Sequence, residues 1–62
     1  METFIEDYVK GDRLASIYKD RYGYYVQLSE VGSRLVVTRD LRNHTLEYAQ
    51  NCAENWVEGI IP

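Results

Sequence analysis

The sequence predicts an α+β domain: a three-stranded antiparallel β-meander, a C-terminal α-helix packed on one face, and a short N-terminal helix. Two observations carry this. Between residues 13 and 41, three runs rich in β-branched, aromatic or leucine residues are separated by two motifs of one design, "DRYG" and "SEVG". Beyond residue 43 the apolar residues change to three- and four-residue steps, the period of a helix.

The first element is "TFIEDYVKGD". Thr3 and Glu6 have the spacing of a capping box, Phe4, Ile5, Tyr8 and Val9 fall on neighbouring helical faces, and Gly11 can end the helix. A strand is the alternative reading of the same residues.

The meander comes next. In Asp20–Gly23 and Ser29–Gly32 a side-chain acceptor is followed three positions later by glycine, the preference of a type I turn whose glycine returns the chain into a strand. The flanking runs "RLASIYK", "YYVQLS" and "RLVVTRDL" are then the strands. Alternation directs Ala15, Ile17, Tyr24, Val26 and Leu28 toward the helix, and Leu14, Ser16, Tyr18, Tyr25 and Gln27 away from it. In the third strand either Val36 or Val37 can face outward. The outer face therefore carries Leu14, Tyr18, Tyr25 and one of these valines, and apolar patches of that kind mark contacts.

The last element is the helix within "NHTLEYAQNCAENWVEGIIP". Leu46, Ala49, Ala53, Trp56 and Ile60 form its apolar stripe. Asn43 or Thr45 can cap it, Glu47 suits its first turn, and Gly59 suits a left-handed stop. Trp56 on this stripe is expected to anchor the core.

At 62 residues the chain is one domain, 1–62, near the lower limit for independent folding. The single cysteine, Cys52, excludes an internal disulfide, and with one histidine, His44, there are too few soft ligands for structural zinc. The remaining supports are local geometry and self-association, so a homodimer stands beside a core-only monomer. No apolar run reaches the roughly 20 residues that span a bilayer. The acidic start and the free thiol fit a cytoplasmic protein. A net charge of −3 disfavours a protein that binds nucleic acid by neutralising phosphates, while leaving room for a local basic patch.

Four of the six tyrosines fall within "YKDRYGYY". They can stack bases or a partner's rings, or simply serve as strand formers on half-buried sheet. Tyr18, Tyr22 and Tyr25, with Arg21, Arg34 and Arg39 on the hairpins, are the candidate binding residues. His44 precedes the helix as a solvated end residue or cap, and Cys52 between small residues reads as a buried thiol. The carboxylates are dispersed, and no phosphate loop, metal signature or nucleophile elbow occurs, so neither a cofactor nor catalysis is expected.

With its tyrosine-rich hairpin and the stretch "RDLRNHTLEYAQNCAENWVEGII", the chain resembles short proteins of tailed bacteriophages, particularly those infecting marine cyanobacteria. The likeness spans roughly residues 13 to 61. It implies a viral origin and a fold but brings no known activity; the function expected beside it is a non-enzymatic binding protein, an accessory factor in the host cytoplasm acting in host takeover through contact with a host or viral protein. In topology the chain is also similar to YegP-type small domains, through "YKDRYGYYVQL". A more distant likeness is to the plant ethylene-response DNA-binding domain, whose three-stranded sheet faces the major groove. That likeness implies nucleic-acid binding as the alternative, but the chain departs from it in being acidic and in lacking a row of arginines on one sheet face.

Overall fold

The computed structural model of the chain describes residues 2–34 and 36–59. Strands β1 (Thr3–Lys10), β2 (Arg13–Asp20), β3 (Gly23–Glu30) and β4 (Val36–Leu41) form one antiparallel sheet in chain order, and helix α1 (Leu46–Val57) follows. The α+β class is as expected, but the sheet has four strands rather than three. The N-terminal segment, read as a helix with a strand as the alternative, is strand β1.

The reason lies at Gly11. Glycine followed by aspartate closes a two-residue hairpin, with Lys10 opposite Arg13. Gly11 has φ 58° and Asp12 has negative φ, the sign pattern of a type II′ turn rather than a helix stop. Pairing with β1 also gives the backbone of β2 partners on both sides. A bulge between Phe4 and Glu6 makes Ile5 the extra residue. Phe4 thereby lies opposite Tyr18 on one face while Ile5 and Tyr8 pack on the core from the other.

The β2–β3 turn forms as expected: Asp20 Oδ1 accepts the Tyr22 N–H at 2.8 Å, and Gly23 takes φ 128°. The β3–β4 turn sits one residue later than expected. Ser33 N–H donates to the Glu30 carbonyl at 3.1 Å with Gly32 at φ 86°, the type II arrangement. Arg34 therefore precedes β4 instead of opening it, and Leu35 lies outside the described residues.

Ala15, Ile17, Val26, Leu28 and Leu41 of the sheet meet Ala49, Ala53 and Val57 of α1. The small residues at 49 and 53 let the helix axis approach closely. Thr45, not Asn43, is the cap, accepting the Tyr48 N–H at 3.2 Å, and Gly59 ends the helix at φ 78°. Val57 takes the deep position at the end of the stripe. Trp56 is only half-buried, under the Arg13 guanidinium at 4.9 Å, and Arg13 Nη1 donates to the Trp56 carbonyl at 2.7 Å. Cys52 is half-buried rather than buried, and exposed His44 stacks on Tyr48 with ring centroids 3.9 Å apart. Ile60 lies outside the described residues.

Candidate binding surface

Helix α1 covers β1, β2 and β3, and among the described residues nothing covers the opposite face of the sheet. Register sorts that bare face into three rows running across all four strands. Phe4, Tyr18, Tyr25 and Asp40 form one; Asp7, Ser16, Gln27 and Thr38 the next; Val9, Leu14, Ser29 and Val36 the third. The face expected to carry a sizeable apolar surface is divided by this polar belt, of which alternation had already placed Ser16 and Gln27 outward. Within the belt Ser16 Oγ donates to Asp7 Oδ1 at 2.6 Å.

The aromatic row is packed within itself. Tyr18 and Tyr25 stack with centroids 5.4 Å apart and planes within 15°, and Phe4 meets Tyr18 edge-on at 5.8 Å. Tyr25 is only 8% exposed although no second layer covers it, because its neighbours on the sheet do. Phe4, at 54%, and the half-buried Tyr18 are the rings that solvent reaches.

Arg42 closes the row. Its guanidinium lies 5.7 Å from the Tyr25 ring centre and 5.8 Å from that of Tyr22, within cation–π range. Nη2 donates to Asp20 Oδ2 at 2.8 Å, and Nη1 stands 3.4 Å from Asp40 Oδ2. The Arg42 hydrogen bond is the main cause holding the Asp20 carboxyl below its ordinary range, and Asp20 in turn raises Arg42. Arg21 reaches the outer ring, Tyr22, at 5.8 Å. At the opposite end, Val9, Leu14 and Val31 line a cleft of about 490 Å3 between the first turn and the 31–33 loop.

The six sequence candidates therefore do not form one site. Tyr18, Tyr25, Tyr22 and Arg21 gather at the β2–β3 turn. Arg39 lies opposite Val26, on the helix side of the sheet, and Arg34 belongs to the far loop. Phe4 and Arg42 complete the cluster. Phe4 was hidden by the helical reading of its segment, and Arg42 lacked a signal until β4 placed it beside Asp20.

On the helix side, Glu6 Oε1 accepts from the Tyr8 hydroxyl at 3.0 Å and from Gln50 Nε2 at 2.8 Å. Burial first, and then Glu6, raise the Tyr8 hydroxyl pKa. Lys10 pairs with Glu58. Among the described residues no group of three or more metal-ligating side chains forms, and no helix is long and apolar enough to cross a membrane. The chain matches no family model, no curated protein and no solved structure.

Proposed function

We propose that the chain is a small non-enzymatic binding protein, a phage accessory factor that works in the host cytoplasm by contact with a host or viral protein. The observation that carries the reading is the aromatic row on the uncovered sheet face. Tyr25 fixes Tyr18 by stacking, Tyr18 fixes Phe4, and Arg42 is locked between two carboxylates beside them. Rings held in place lose little freedom on binding, and pre-ordered aromatics within a polar margin are the usual anchors of protein interfaces. Phe4 and Tyr18 are the anchors, Tyr25 is their support, and the Asp7–Thr38 belt supplies hydrogen bonds at the margin.

The placement of the arginines favours protein over nucleic acid. Arg42 is already neutralised by Asp20 and Asp40, Arg39 lies on the other face, and Arg34 is at the far end. Lys19 lies over Tyr24 on the helix side, so only Arg21 remains near the aromatic row without a carboxylate partner among the bonds described, too little to offset a net charge of −3. The test is a titration of labelled single- and double-stranded DNA and RNA at about 50 mM salt, where electrostatic binding is exaggerated. The expected result is no binding below about 10 μM. Sub-micromolar binding abolished by Arg21→Glu would replace this reading with nucleic-acid recognition.

A further inference from the structure

Along β2 the bare face presents Tyr18, Ser16 and Leu14 at alternate residues, with Phe4, Asp7 and Val9 opposite them on β1. This strip is apolar at both ends. Phe4 and Tyr18 form one end; at the other, Val9 and Leu14 open into the cleft of about 490 Å3 that Val31 walls. Between the two ends stands Asp7. Its Oδ1 accepts from Ser16, and among the described residues it takes part in no ion pair. The same holds for Asp12 and Glu30, which line the cleft. Arg13, the one cation among the described lining residues, is engaged with the Trp56 carbonyl on the helix side.

We infer that this strip docks an extended, basic segment of a protein partner, with apolar, cationic and apolar side chains at alternate positions. The inference rests on the aromatic row being a protein-binding surface, and it names the chemistry of what that surface takes. Tyr18 and Leu14 stand four residues apart, about 13 Å along the strand, and an extended segment covers the same distance between its residues i and i+4. Its side chains at i, i+2 and i+4 point to one face. One apolar residue in the cleft and another on Phe4 and Tyr18 therefore set the side chain between them over Asp7.

Charge makes that central side chain a lysine or an arginine. The carboxylates of Asp7, Asp12 and Glu30 repel an acidic segment and attract a basic one, and no cation of the described chain neutralises them. Arg42 displays the same mode of recognition inside the molecule: its guanidinium is held by Asp20 and Asp40 against the rings of Tyr22 and Tyr25. A partner's cation on Asp7 has Phe4 and Tyr18 beside it in the corresponding way, so that ion pairing and cation–π attraction act together.

The test is an NMR titration of the intact chain with two peptides, Gly-Leu-Ser-Arg-Ser-Phe-Gly and the same peptide with glutamate in place of arginine, each taken to about 5 mM at about 50 mM salt. The arginine peptide should shift the amides of Asp7, Leu14, Ser16 and Tyr18 and bind about fivefold or more tightly than the glutamate peptide. Asp7→Asn retains an acceptor for the Ser16 hydroxyl and should remove most of that preference, while Phe4→Ala should weaken the arginine peptide. Absence of shifts, equal affinity for the two peptides, or a preference that survives Asp7→Asn would each overturn the inference. A captured protein that Phe4→Ala releases and Asp7→Asn holds as firmly as the unaltered chain would overturn this inference alone, leaving the aromatic row as the binding surface.

Discussion

Gly23 shows how one residue couples two distant turns. A Cβ there would stand 2.8 Å from the Arg42 carbonyl oxygen, and its φ of 128° is one that side chains rarely adopt. Gly23→Ala should therefore cost about 2 kcal/mol or more, from strain together with displaced backbone. Gly32 also has positive φ, but open space surrounds it. Gly32→Ala should cost about 1 kcal/mol, and paired urea titrations separate the two values. Asp20 gives a pH signature at the same end of the sheet. Its folded pKa is lowered, chiefly by Arg42, so its contribution is present above the ordinary carboxylate range and is lost as pH falls through the folded value. The carbon-13 titration of the Asp20 carboxyl should have a midpoint below that of an unpaired aspartate, and Arg42→Gln should raise it. An unchanged midpoint would mean that the ion pair does not persist in solution.

The elements differ in how much of their structure was legible in sequence. The two central strands and α1 were, because period-2 and period-3.6 patterns there agree with their turn and cap residues, down to which of Tyr24 and Tyr25 faces the helix. The first strand was not, because Thr3 and Glu6 happen to have capping-box spacing and the bulge at Ile5 breaks the alternation that would have marked a strand. Gly11–Asp12 between runs of strand formers was the available signal. In the helix, the 3.6 period left Trp56 and Val57 nearly equivalent, and packing placed Val57 deeper. Trp56→Ala should accordingly cost about 2 kcal/mol, below the range for a fully buried tryptophan. Ile17→Ala, at a fully enclosed site, should cost about 3–4 kcal/mol. Thr45→Ala should cost about 1 kcal/mol through the lost cap. Thermal or urea unfolding ranks the three, and a Trp56→Ala loss exceeding that of Ile17→Ala would restore Trp56 as the core anchor.

At the scale of the whole molecule, one layer of helix over three strands leaves a bare face and a bare edge, and side chains give them different characters. The face has an ordered aromatic row beyond a polar belt, whereas the edge strand β4 exposes Val36 and Val37. Alternation had placed Tyr18 and Tyr25 on that face, but the rest of the row and the edge were not legible from the residues alone. Tyr25 and Arg39 look equally available in sequence, and only register buries the first beside Tyr18 and sends the second to the other side. The candidate tyrosines were found in sequence, while Phe4 and Arg42 needed the fold to join them. The central claim is that Phe4 and Tyr18 anchor a protein partner. It is tested most directly by nuclease-treated affinity capture from host lysate with the tagged chain, run beside Phe4→Ala, Tyr18→Ala and Arg39→Ala variants of verified fold. The account predicts a captured protein that Phe4→Ala and Tyr18→Ala each weaken by about tenfold or more and that Arg39→Ala retains. Capture that either aromatic substitution leaves intact, or that only Arg39→Ala removes, would contradict it.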